Sequence, residues 1–251
     1  MLGNAEQLAN DQQYDAARDH FLNISRKFMD QNRPLLAANV LYRALRLLMG
    51  MIAFALPFIV TLVSSTTLPS ISASYYSEAR DIFVGLLFVV SAFLMAYNGH
   101  TASEAWASRA ASLAAMVAAL YPTSCEGCEA DILSTIHYSA AVVLFAILAY
   151  FCLGPFRKNT KGQPGKKGRR AKIYFACGWV IVACMLTIGI SKLAMTEEAR
   201  NSLYITYWGE AIALWAFGIA WIVAGKVISP LVDDEGDKDQ LGASLAITYR
   251  F

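Results

Sequence analysis

Few side chains in this sequence have the chemistry to grip a polar ligand or to move a proton. Arg80 and Asp81 stand next to each other, behind an aromatic, hydroxyl-rich run that contains Tyr76. His137, Lys192 and Glu210 each sit within or beside long apolar stretches. A carboxylate beside an imidazole can work as base and acid. A carboxylate beside a cation can hold a zwitterion or a lipid headgroup. With 3 histidines in all, at positions 20, 100 and 137, a three-histidine metal site is not expected. A mixed site of Asp81, His137 and Glu210 lacks the ligand spacing that would argue for one. No metal, no cofactor and no catalytic residue is therefore assigned. Cys125 and Cys128 form a C-x-x-C. A redox pair needs a helix N-terminus and a fold of its own, so a local disulfide or two free thiols is the expected state. Phosphate loops, dinucleotide fingerprints and nucleophile elbows are missing from the sequence.

The elements that must position these groups are apolar. Of 251 residues, 57% are hydrophobic and 16% charged, whereas soluble domains are about one-quarter charged. The excess is gathered into six segments, approximately 44–65, 81–97, 104–121, 133–153, 171–191 and 204–226. A crossing helix needs about 20 mostly apolar residues, and lipid leaves backbone groups no partner outside a helix. The expectation is an all-α polytopic membrane protein, a six-helix transmembrane bundle over residues 44–226. Residues 1–43 read as a cytoplasmic amphipathic helical segment, because Tyr14, Phe21 and Phe28 recur every seven residues with Ala17 and Ile24 on the same face. Its polar character leaves no place for a cleavable signal, so insertion is expected to use an internal span. Residues 227–251 read as a cytoplasmic acidic tail. Alanines four apart, at 107, 111, 115 and 119, with a second row at 110, 114 and 118, read as a packing face of the third span; Ala216, Ala220 and Ala224 do the same on the sixth.

Charge sets the expected orientation. Arg33, Arg43 and Arg46 precede the first span, and the connector 157–172 holds eight Lys or Arg residues. Such residues stay in the cytoplasm, which puts both termini inside, in a plasma membrane or a bacterial inner membrane. The connector, rich in Gly, Pro and Lys, is expected to be flexible. The net charge of +2 is too small to argue for nucleic acid as a partner. With this topology Tyr76, Arg80, Asp81, His137, Lys192 and Glu210 all fall at the outer end. The apolar run 211–224 covers about 21 Å of a core about 30 Å thick. Glu210 must then lie below the interface, where a carboxylate faces protein or a wet cavity. Arg80, Lys192 and His137 are its expected partners.

Four pieces of sequence carry a likeness: the PSIS run at 69–72, the Arg80 and Asp81 pair opening span two, IHYSAAV at 136–142 and GEAIALWAFG at 209–218. Over residues 44–226 the chain resembles the DRAM/Sfk-like family, whose members include damage-regulated autophagy modulators and a remodelling factor for GPI lipids. His137 and Glu210 match best. SYYSEARD at 74–81 replaces a stretch that in the family holds aspartate, glycine and Pro-Glu. The resemblance implies six membrane helices and a part in lipid handling or membrane regulation. Residue chemistry and resemblance together predict a non-enzymatic membrane protein that binds a lipid or small amphiphile in an outward-facing polar pocket. A membrane-embedded hydrolase or lipid-remodelling enzyme is the alternative, with Asp81 or Glu210 as base beside His137. A scaffold subunit recruiting a protein partner through the N-terminal helix is another.

Overall fold

A computed structural model describes residues 18, 20–23, 41–99, 101–124, 132–158, 160–226 and 231. The chain divides into two units. In the first, Met1–Leu41 with Lys238–Phe251, the described residues 18 and 20–23 are helical and exposed. The rest of the amphipathic face lies outside the described residues, as do Cys125, Cys128 and the acidic tail.

The second unit, Tyr42–Asp237, is helical throughout, with no strand among the described residues. The helices are α1 (Leu41–Val63), α2 (Arg80–Ala96), α3 (Ala102–Leu120), α4 (Ile132–Leu153), the single turn α5 (Pro155–Lys158), α6 (Gly165–Ala194), the short α7 (Glu197–Ser202) and α8 (Ile205–Ala224). Six of them, α1 to α4, α6 and α8, overlap the six apolar segments read from sequence, while α5 and α7 lie between segments. Four stretches are long and apolar enough to cross a bilayer: α1, the run Ile132–Lys158, α6 and α8. The other two fall short for different reasons. The 17 residues of α2 reach only about 25 Å. In α3, 19 residues long, alanine replaces larger side chains and Glu104 and Arg109 interrupt the apolar surface. The apolar window of α6 is 22% buried, and Leu186, Ile190 and Leu193 on it are exposed. That much bare hydrocarbon is surface made for lipid.

Neighbours follow chain order. α2 packs on α3, α3 on α4, α4 on α6 and α6 on α8. The series closes at α1 and α8 through Gly50 and Gly218: a Cβ on Gly218 would lie 2.7 Å from the Gly50 carbonyl oxygen, and one on Gly50 would lie 2.7 Å from that of Gly218. Small residues let the two backbones touch. Of the alanine rows on α3, Ala111, Ala114, Ala115, Ala118 and Ala119 are buried, while Ala110 faces outward. Between α2 and α3 runs a reciprocal serine pair. Ser91 Oγ donates to the Ser112 carbonyl at 2.9 Å, and Ser112 Oγ to the Ser91 carbonyl at 2.8 Å. Ser108 Oγ adds a bond to the Leu94 carbonyl at 2.6 Å.

The connector after α4 departs from expectation. It is wound rather than loose, because α5 and the turns at 160–162 carry their own backbone hydrogen bonds and α6 starts at Gly165, ahead of the apolar run. Gly165 enters that helix at φ +65°, a conformation that favours glycine.

Candidate functional site

Residues 64–79 form a folded loop across one end of the bundle, and two of the polar residues of interest, Glu210 and Tyr76, hold it there. At its centre is a 3-10 turn, Ser72–Tyr76. The first amides of such a turn have no internal acceptor. Glu210, in the second turn of α8, supplies one: its Oε2 accepts from the amides of Ile71 at 2.6 Å and Ser72 at 3.2 Å, and its Oε1 accepts from Ser72 Oγ at 3.2 Å. Ser70 Oγ accepts from the Ala73 amide at 2.9 Å. Each amide that opens the turn thus has a partner. The neighbouring Tyr207 amide donates to the Pro69 carbonyl at 3.1 Å, and its hydroxyl shares a hydrogen with Thr61 Oγ1 at 2.7 Å.

Two further ties close the loop. Glu78 accepts from the Ser65 hydroxyl at 2.6 Å and the Ser65 amide at 3.2 Å. Those bonds hold the exposed Glu78 carboxyl below its ordinary value, the Ser65 hydroxyl contributing most. Tyr76 Oη donates to the Thr123 carbonyl at 2.7 Å, binding the loop to the α3–α4 link.

The sequence places Arg80, Lys192 and His137 as partners of Glu210; the structure gives that carboxylate to the loop backbone. Arg80 is exposed and turned to Tyr75, with its Cζ 4.6 Å from the ring centroid and Nη2 donating to the hydroxyl at 3.2 Å. Asp81 is exposed in the first turn of α2. His137 is buried in α4, its Nδ1 2.9 Å from the Tyr121 carbonyl oxygen, so it ties the start of α4 to the end of α3. Lys192 stands with its Nζ 3.2 Å from the centroid of Tyr138. The Tyr138 hydroxyl meets Ser124 Oγ at 2.5 Å and accepts from Thr123 Oγ1 at 3.0 Å. The six residues therefore divide. Glu210, His137 and the Tyr76 hydroxyl fasten loops, whereas Arg80, Asp81 and Lys192, with the exposed ring of Tyr76, remain accessible. Among the described residues no three His, Cys, Asp or Glu side chains converge as metal ligands would.

Sequence reasoning missed a cluster at the opposite end. Arg46, one of the charges read for orientation, turns into the bundle. Its guanidinium lies over Tyr42, Tyr97 and Phe156 at 4.7, 5.4 and 5.7 Å, and it donates to the Ala224 carbonyl and to Tyr97 Oη, each at 3.0 Å. Arg170 is buried nearby and donates to the Leu231 carbonyl. Tyr42 and Arg46, four apart on one helix, were the only local signal. Compared with protein-family models, with curated proteins and with solved structures, the chain matches none.

Proposed function

We propose that this chain is a non-enzymatic, six-span membrane protein that binds the headgroup of a lipid or a small amphiphile at the end covered by residues 64–79. That end faces out of the cytoplasm and both termini lie inside, in a plasma membrane or a bacterial inner membrane. The charge distribution supports the orientation: the eight basic residues of the 157–172 connector belong to the opposite end. The resemblance to the DRAM/Sfk-like family points the same way, to six membrane helices and lipid handling.

One observation carries the binding reading. A membrane carboxylate, Glu210, is committed to ordering a loop. Six helices do not need that loop ordered in order to pack. An ordered loop with exposed Tyr76, followed at once by exposed Arg80 and Asp81, is a surface prepared in advance for a ligand, which cuts the entropy lost on binding. Cation and anion side by side suit a zwitterionic headgroup.

Native mass spectrometry of the detergent-solubilised protein tests this. A co-purifying lipid is expected, and Arg80→Ala with Lys192→Ala should lower its occupancy several-fold. Unchanged occupancy in that double variant would sink the site. Labelling of Ser65→Cys by an impermeant maleimide in intact cells tests the orientation, and protection there would reverse it.

A further inference from the structure

A second concavity lies at the other end of the bundle. It is a cleft of ≈ 370 Å³ between the start of α3 and the α4–α6 connector, within the size range of small-ligand sites. The connector lends it Arg157, Lys158 and Lys161, the start of α3 lends Thr101, Ser103 and Glu104, and the end of α4 lends Tyr150 and Leu153.

The connector is folded so as to crowd its cations. The amides of Arg157 and Lys158 both donate to the Gly154 carbonyl, at 3.0 and 3.1 Å, and those of Thr160 and Lys161 both donate to the Arg157 carbonyl, at 2.9 and 2.8 Å. Thr160 Oγ1 adds a bond to the Phe156 carbonyl at 3.1 Å. Arg157, Lys158 and Lys161 thereby share little more than one turn, a placement of like charges that is unfavourable unless an anion offsets it. Glu104 is the one carboxylate in the lining, and it bonds to its own helix cap: it accepts from Thr101 Oγ1 at 3.2 Å, while its amide donates back to that oxygen at 3.3 Å. Three cations less one carboxylate leave the cleft at +2. The Arg157 guanidinium lies flat on Phe175, Cζ to centroid 4.5 Å, and its buried Nε has no hydrogen-bond partner among the described residues. The first turn of the 19-residue α3 adds the positive end of a helix dipole.

We infer that this cleft binds a phosphate-bearing headgroup. Phosphate oxygens take Arg157, Lys158 and Lys161 as charge-assisted donors, with the Ser103 hydroxyl in the same lining. Tyr150 and Leu153 offer an apolar flank for the glycerol and the first methylenes of an acyl chain. The site is separate from the loop at 64–79, and neither reading depends on the other.

The test uses the full chain in a neutral detergent, with native mass spectrometry and thermal unfolding as readouts. The probes are dioleoyl phosphatidic acid, dioleoylglycerol as its phosphate-free counterpart, and inorganic phosphate. Phosphatidic acid should bind and raise the unfolding midpoint, and dioleoylglycerol should do neither. The variant K158Q/K161Q, both positions exposed, should weaken binding about thirtyfold, whereas K172Q, outside the cleft, should bind like the parent. If inorganic phosphate stabilises the parent as well as phosphatidic acid does, and loses that effect in K158Q/K161Q, the occupant is a soluble phosphate ester and the cleft stands. Equal binding of phosphatidic acid by the parent and K158Q/K161Q, with matching ligand-free midpoints, overturns the proposal. So does failure of both phosphate probes to bind the parent.

Discussion

Replacing Glu210 with alanine removes the acceptor for two backbone amides and one hydroxyl, those of Ile71 and Ser72. A hydrogen bond to a charged group contributes about 1.5–3 kcal/mol net, and an orphaned donor costs about 1–3 kcal/mol. The amides are partly buried, so water recovers a share of each. A local loss of about 2–4 kcal/mol is the outcome, and every 1.4 kcal/mol is about tenfold in an equilibrium. The opened form of the loop should then be about 30- to 1,000-fold more populated. Amide hydrogen exchange in detergent reads this directly: residues 70–74 should exchange faster by that factor, and buried amides of α3 around Ala115 should not change. Glu210→Gln is the sharper control. Both amides bond the same oxygen, Oε2, and Ser72 Oγ can turn to accept from an NH2 at the other position. Only the charge is lost, and neutral bonds are about half as strong, so the glutamine variant should show about half the effect. Exchange at 70–74 in Glu210→Ala equal to the parent would refute the reasoning, because some other contact would then be holding the loop.

Other parts of the bundle give shorter tests. Gly218→Ala forces a methyl to 2.7 Å from the Gly50 carbonyl, and overpacking of this kind should lower stability by about 1–3 kcal/mol in detergent unfolding; Gly85→Ala, with open space around it, should not destabilise. Ser91→Ala and Ser112→Ala each remove one bond to a backbone carbonyl of the other helix and should each lower stability by about 1 kcal/mol; two variants as stable as the parent would mean the reciprocal bonds contribute nothing to packing. For Glu78 the folded carboxyl titrates below its ordinary 4.5. Its contribution is complete above the unfolded value and is lost as pH falls through the folded one. Loosening of residues 65–78 below about pH 4, followed by exchange or NMR, should disappear in Glu78→Gln.

The helices were legible in the sequence because length and apolarity are properties of a contiguous run. Glu210 was legible too, since too short an apolar stretch follows it for the residue to sit at the surface. Its partners were not. The Ile71 and Ser72 amides are backbone groups, and no side-chain pattern announces which turn will present them. The expectation of a cation followed from charge alone, and Arg80 found an aromatic ring five residues back instead. Arg46 shows the same limit from the other side. Counted as one positive charge it helped set orientation, but whether it faces water or the rings of Tyr42, Tyr97 and Phe156 depends on helices far along the chain. The wound connector was hidden by its composition, since Gly, Pro and Lys describe tight turns as well as loose coil.

The contact of Gly50 with Gly218 joins the first of the long helices among the described residues to the last. Until synthesis reaches α8, Gly50 lacks the backbone that it touches, and Arg46 lacks the Ala224 carbonyl that it finally bonds. Assembly therefore cannot be finished helix by helix as the chain emerges. The opening half must wait in the bilayer as an unsealed staircase, and the closing helix acts as its keystone, so that truncation before residue 205 is felt first at the beginning of the protein.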